Sequence, residues 1–481
     1  MASHDPIEYS ARSAAPSLPL RVNLSTMPRS ESTQGRAARV GKKRPWTVPG
    51  APHAQDSLEV LQEVPGTLGL ELWMIVRHVR LWAECPPEQR PKLFVHRAAR
   101  HVAERRTELL NESPAQLRND LRVLMRVCAP VPPDAVRIAA ACEAITAWAQ
   151  AEGYRRTAVH FAEAVAALCP KDAHAAFVAA RTNRLAGESW RGELFYARAI
   201  RFAHREQAWS VYVRAHLGMG RLLLNRGSFR LAAKHYFTAA TKAFDQGEEW
   251  LSAQTFHDLL ALSLEQGLSG GPANGPRFGN AESYAREALT RYPRHHERFP
   301  AAVHDFAFLL VCQYRYADAL PLLEVLMEAP IPMHDQVIGW STLARTAASL
   351  GDAERYGVCE TRVLALAPHH DLHMAAALIN LAFGARALGD WSLAESYARR
   401  GILAGEAKGD AVARHVGGEL LAEIERREPA PTPARRLHGG SAGPSKVDEL
   451  VALLADQLAA WRGPTWTRKE SQSGVATLGP V

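Results

Sequence analysis

The chain has 481 residues, 47% of them hydrophobic and 22% charged, which fits a globular protein of roughly two to four domains and excludes a fibrous or wholly disordered chain. With 57 basic residues against 50 acidic ones, the formal charge of +7 is a mild excess that does not by itself argue for nucleic acid. Six isolated cysteines without a C-x-x-C pair set aside a zinc cluster or thioredoxin-like motif, and no apolar run approaches a membrane span.

Residues 1–56 are rich in Ser, Pro and Arg and poor in large apolar residues, so a disordered basic tail is expected. The stretch MASHDPIEYS lacks a basic start and an apolar core, so no secretory signal is expected, and Asp5 and Glu8 count against an organelle transit peptide. Scattered, reduced thiols then imply an intracellular protein, assigned to the cytoplasm.

Residues 57–136 read as a helical N-terminal region. GLELWMIVRHVRLWAE is amphipathic, and the run starting PPEQRPK begins after prolines suited to a helix start. Arg97, Arg100, Arg105, Arg106, Arg118, Arg122 and Arg126 give this region a basic face. Such a face is most often simply solvated; its alternative reading is a nucleic-acid surface.

From 137 to 427 a spacing recurs. Gly153, Gly187 and Gly227 are each followed five residues on by Ala158, Gly192 and Ala232. Gly187 stands 34 residues after Gly153, and Gly227 stands 40 after Gly187, as if six residues were inserted around Glu206 to Tyr212. Gly351 with Pro368, and Gly389 with Ala394 and Ala398, repeat the arrangement, and Trp340 precedes Gly351 by eleven residues. Each glycine lies between two helical patterns.

This spacing resembles the tetratricopeptide repeat family, a 34-residue helix–turn–helix unit with the pattern W-x2-L-G-x2-Y, A-x3-F, P. Trp340, Leu343, Ala344, Gly351, Val363 and Pro368 fall on it, as do Gly220, Gly227, Ala232, Tyr236 and Ala239. Ala347 and Ala385 stand where the family has Tyr, and the fifth unit lacks its turn glycine. The resemblance implies an all-α fold: a right-handed α-solenoid of stacked antiparallel helix pairs, here about seven units and a closing helix. No pair buries its apolar face alone, so units must stack. The units are read as 139–172, 173–206, 213–246, 250–298, 300–333, 337–370 and 375–408, the fourth carrying the insertion GLSGGPANGPRFGN.

Residues 428–445 read as a flexible linker and 464–481 as a disordered tail. Between them, 446–463 place Val447, Leu450, Val451, Leu454, Leu458 and Trp461 on one stripe. That amphipathic helix needs a surface, either on the array or on a partner.

Catalytic motifs are weak. GGSAG at 439–443 matches G-x-S-x-G but lies in a Pro/Gly linker without the strand a nucleophile elbow needs. GRAARVGKK at 35–43 has one residue too many between its glycines for a phosphate loop, and Lys43 stands where Ser or Thr should hold magnesium. His369, His370 and His373 lack an H-E-x-x-H context, and His295 and His296 read as a turn. No enzyme, metal or cofactor is expected.

The expected function is a scaffold or adaptor that binds protein or peptide in the concave groove. By the resemblance, groove positions are the second, fifth, ninth, twelfth and thirteenth of each unit: His174, Phe177, Arg181, Arg184, Arg214, Arg221, Asn225, Arg345 and Arg386. The binding set is Arg181, Arg184, Arg214, Arg221 and Arg345, which favours an acidic or carboxylate-ended segment because a guanidinium can hold a carboxylate with two parallel bonds. This departs from the Lys/Arg/Asn clamp of chaperone co-factors. The alternative is a regulator with a nucleic-acid-binding N-terminal region and the array as sensor.

Overall fold

The computed structural model describes residues 58–94, 113–129, 131–270, 278–293, 295–367, 373–430 and 446–461. The tails, most of the linker, Arg97 to Arg106, half of the fourth-unit insertion and both His369 and His370 lie outside them. Among the described residues every regular element is helical.

Among the described residues three α-helices precede the repeats: α1 (Glu59–Glu63), α2 (Gly66–Glu84) and α3 (Arg118–Met125). Seven antiparallel pairs follow. They are α4 (Ala135–Ala151) with α5 (Arg155–Leu168), α6 (Ala173–Leu185) with α7 (Ser189–Glu206), and α8 (Trp209–Asn225) with α9 (Phe229–Gln246). Next come α10 (Glu249–Leu268) with α11 (Ala281–Arg291), and α12 (Phe299–Cys312) with α13 (Tyr316–Glu328). Last are α14 (Met333–Ser349) with α15 (Ala353–Leu366), and α16 (Met374–Ala387) with α17 (Trp391–Lys408). The closing helix α18 (Ala411–Glu425) packs on α17, and α19 (Lys446–Ala459) docks back on α13. The expected array of stacked antiparallel helix pairs is thus present among the described residues.

Local chemistry starts and stops the helices. Asp134, Asp172, Asp352, Asp390 and Asp410 cap helix starts, each accepting from the amide three residues on at 2.8–3.0 Å. The turn glycines Gly153, Gly187, Gly227, Gly351 and Gly389 all adopt left-handed backbone, φ 71° to 86°. In the fifth unit Tyr314 takes that conformation at φ 59°, so the turn survives without its glycine.

The six extra residues between Gly187 and Gly227 do not form an insertion. They lengthen α7 to 18 residues and α8 to 17, against 13 for α6, and the chain reverses at Gln207 with φ 57°.

The small residues inside helices make room for tyrosines. A Cβ at Gly218 would overlap the Tyr196 ring, one at Gly220 the Tyr236 ring, and one at Gly384 the Tyr356 ring. One core runs from Ala162 through the repeats to Trp461. A second joins Val60, Leu72, Ile75, Leu121 and Leu124 to the first pair. The N-terminal helices are also latched by polar contacts. Glu63 accepts from the amides of Arg156 and Thr157, both 2.8 Å, capping α5, and Arg80 pairs with the buried Glu163.

Successive first helices of the pairs (α6, α8, α10, α12, α14, α16) touch one another, whereas successive second helices scarcely meet. The stack therefore curves with first helices on its concave side. The curl is tight enough that α18 reaches α10, and a Cβ at Gly227 would lie 3.6 Å from that of Ala411.

Candidate functional site

The concave side carries two different regions. Toward the C-terminal units, first-helix side chains join in a ladder of polar contacts. Arg221 on α8 pairs with Asp258 on α10, Nε donating to Oδ1 at 2.8 Å. His257 donates Nε2–H to Asp305 Oδ2 at 2.9 Å, and Tyr292 lies 3.4 Å from its other nitrogen. Asp305 Oδ1 accepts from His304 Nδ1 at 3.0 Å, and His304 Nε2 lies 3.1 Å from Thr342 Oγ1. Asn380 Nδ2 donates to Thr342 Oγ1 at 3.3 Å and its Oδ1 accepts from Arg345 at 3.3 Å. Burial would raise the Asp305 carboxyl, but the two imidazole hydrogen bonds overcome it and hold the group well below the usual carboxylate range.

The Asp305–His304–Thr342 alignment has the order of a catalytic triad. Thr342 is 0% exposed and donates to the Ile338 carbonyl at 2.9 Å, so its hydroxyl meets no substrate. The ladder is packing between units, with every member engaged.

The second region, toward the N-terminal units, is less neutralised. Arg214 on α8 lies 4.7 Å over the ring of Phe177 on α6. Tyr196 on α7 stands beside Phe177, ring centroids 6.3 Å apart, and its hydroxyl accepts from Arg184 Nε at 3.3 Å. Arg181, one turn beyond Phe177 on the same helix, is exposed. Among the described residues Arg181, Arg184 and Arg214 form no ion pair. Desolvation and then Arg184 lower the pKa of Arg181, while desolvation and then Arg181 and Arg298 lower that of Arg214. A guanidinium does not titrate in the physiological range; the shifts reflect burial first, with the like charge of the neighbouring guanidiniums adding to it.

The five candidate arginines therefore divide. Arg181, Arg184 and Arg214 gather around the Phe177–Tyr196 floor. Arg221 lies close to Arg181 but is held by Asp258, which raises its pKa against desolvation. Arg345 is 6% exposed, 4.0 Å over the Phe383 ring, and stands in the ladder instead. Arg386, also buried, binds Glu423 and the carbonyls of Glu428 and Pro429. Burial, then Arg214, lowers the pKa of His174, and Asn225 is exposed.

Register alone misses Arg298, which precedes α12 and whose charge helps to lower the pKa of Arg214. It lies outside the repeat positions because the fourth unit is lengthened. Glu297 beside it is exposed and is the acid nearest in effect to Arg181 and Arg214.

Of the basic N-terminal face, Arg118 donates to Ser113 O at 3.1 Å, Arg122 donates to Asn119 Oδ1 at 2.7 Å, and Arg126 is exposed. Among the described residues no three His, Cys, Asp or Glu side chains gather as metal ligands, and no helix is long and apolar enough to cross a membrane.

No protein-family model and no curated protein matches the chain. Among solved structures, it is similar to a Rap protein complexed with Competence and Sporulation Factor. That match has 11% identity and a TM-score of 0.35, covering 77% of this chain and 98% of that one. It is also similar to a plasmid's Rap conjugation gene regulator in complex with the Phr* peptide. There the identity is 14% and the TM-score 0.38, covering 73% of this chain and 96% of that one.

Proposed function

We propose that the chain is a scaffold or adaptor that binds an extended protein or peptide segment, acidic in character, along the concave face of its array. One observation carries this reading: Arg181, Arg184 and Arg214 lie on the first helices around the Phe177–Tyr196 pair and form no ion pair among the described residues. Like charges held together cost free energy unless a ligand or an acid compensates them. The fold supplies acids freely elsewhere, as Asp258 for Arg221 and Glu423 for Arg386 show. An acidic segment would place its carboxylates on these guanidinium forks and its apolar atoms on Phe177 and Tyr196.

The test is an array of acidic, neutral and basic peptides probed with the full chain and with Arg181→Ala/Arg214→Ala. Acidic peptides are expected to bind and to lose binding in the double variant. Equal capture of basic peptides, or unchanged capture by the variant, defeats the reading.

A further inference from the structure

This inference rests on the groove reading and concerns which anionic group the arginines select. Phe177, Arg181 and Arg184 stand at i, i+4 and i+7 on α6 and so share one helix face. Arg214 covers Phe177 from α8, and the Tyr196 hydroxyl steadies Arg184 from α7. Tyr196 is itself fully buried, seated where Gly218 leaves space for its ring. Two of the three forks are thus oriented by rigid aromatic partners rather than by solvent.

We propose that Arg181, Arg184 and Arg214 form a subsite for a phosphoryl dianion.

The charge and donor count separates this group from a carboxylate. A carboxylate brings one negative charge and two oxygens, so it would leave one fork unfilled and two charges uncompensated. A phosphoryl ester brings roughly −1.5 to −2 charge near neutral pH and three acceptor oxygens, one for each fork. Arginine suits this because its planar donors meet two oxygens at once and its charge is weakly hydrated. The charge of Arg298 also acts on Arg214, and Glu297 offsets it only from an exposed position. The dianion has two sources, free phosphate or a phosphorylated side chain of the bound segment.

The experiment titrates the full chain by calorimetry with inorganic phosphate, with N-acetyl-phosphoserine amide and with acetate, at ionic strength held constant with chloride. Both phosphoryl probes are expected to bind at least about ten-fold tighter than acetate, and more weakly near pH 5.5 than near pH 7.5, because the second ionisation lies near pH 6 for the ester and higher still for the free ion, so the dianion is scarce at the lower pH. A tighter phosphoserine amide points to a modified side chain, and a tighter inorganic phosphate to the free ion; either supports the subsite. Arg181→Gln/Arg214→Gln should abolish the response, while the convex-face variant Arg399→Gln keeps it. Arg184→Lys guards against a folding defect: it keeps the charge and loses the fork, and should weaken phosphate several-fold with helical signal unchanged.

Equal affinity for acetate and phosphate overturns the proposal, as does phosphate binding that survives these variants. An oligonucleotide that outbinds both phosphoryl probes through the same arginines also overturns it. If acidic peptides bind through Arg181 and Arg214 while phosphate does no better than acetate, the groove reading stands and the phosphoryl subsite alone fails.

Discussion

Arg221 and Asp258 face each other across the first helices of the third and fourth units, joined by a side-chain ion pair in which Asp258 is almost wholly buried. The pair divides the concave side: among the described residues Arg181, Arg184 and Arg214 on its N-terminal side form no ion pair, and the polar ladder begins with it. Removing one partner leaves the other charged in a desolvated place, and this costs more than the pair itself contributes.

Asp258→Ala is therefore expected to destabilise the array by about 3 kcal/mol, and Arg221→Met/Asp258→Leu by clearly less than the single change. Thermal unfolding of the three proteins checks this. A double variant that melts lower than Asp258→Ala would show that the pair contributes stability as an ion pair.

Glycines separate into two kinds with different costs. Gly227 has φ 71° and open space around it apart from Ala411. Gly227→Ala should cost about 1–2 kcal/mol for left-handed backbone alone. At Gly220 the backbone is helical, but a Cβ would overlap the Tyr236 ring at the centre of the core. Gly220→Ala should cost about 1–3 kcal/mol through overpacking, and Gly220→Ala/Tyr236→Leu should recover part of it. Failure of the second change to restore any melting temperature argues against the Gly220–Tyr236 contact.

These glycines are why so much of the fold is legible in the sequence. A turn needing positive φ and a helix needing a close neighbour both demand glycine at fixed spacing, and the spacing survives without the family's aromatic residues. Tyr314 escapes this logic, since a tyrosine held at φ 59° by surrounding packing leaves no turn signal. Gln207 does the same, so lengthened helices read as an inserted loop. At the groove, register tells which side chains share a helix face. It does not tell which find a partner, because the Asp258 carboxylate reaches Arg221 from the next unit and the neutral Asn380 amide reaches Arg345 likewise. Arg298 carries no register at all, standing just after a connection of irregular length.

His216 and His235 face each other between α8 and α9, Nδ1 to Nδ1 at 2.9 Å. Burial, and then His235, push the pKa of His216 down to about 4 from 6.5. Because the folded pKa lies below the unfolded one, the unfolded chain takes up the proton first. Stability is expected to be complete above pH 6.5 and to fall as pH drops toward 4. His216→Leu should flatten the melting midpoint over that window. An unchanged slope assigns the acid sensitivity to other groups.

Glu265 gives the opposite sign. Burial, then Asp410 at the start of α18 and Asp305, push its carboxyl up to about 8 from 4.5. The folded chain therefore holds this proton more tightly than the unfolded chain. The stability it contributes is complete below pH 4.5 and is lost as pH rises through about 8. Glu265→Gln should raise the melting midpoint at pH 8.5 and change it little at pH 5. A uniform shift at both values would deny the link between Glu265 and the contact of α10 with α18.

The C-terminal helix offers a test of how the far end of the chain is held. Val451, Leu454, Leu458 and Trp461 are buried where α19 docks on α13, and residues 431–445 tether the helix. Each buried side chain of this size is worth about 2 kcal/mol, so the stripe together outweighs the cost of ordering one short helix. The tether also keeps α19 at high local concentration, which a separate peptide lacks. Leu454→Asp/Leu458→Asp replaces two fully buried apolar side chains by carboxylates that cannot be desolvated cheaply. The helix is expected to undock while the repeats remain folded. Limited proteolysis should then cut within 431–445 and release the C-terminal fragment many times faster than in the parent. A synthetic peptide of residues 446–461 should rebind a chain truncated after Ala430 only weakly. Equal cleavage rates in parent and variant would mean that α19 is not held on α13 in solution.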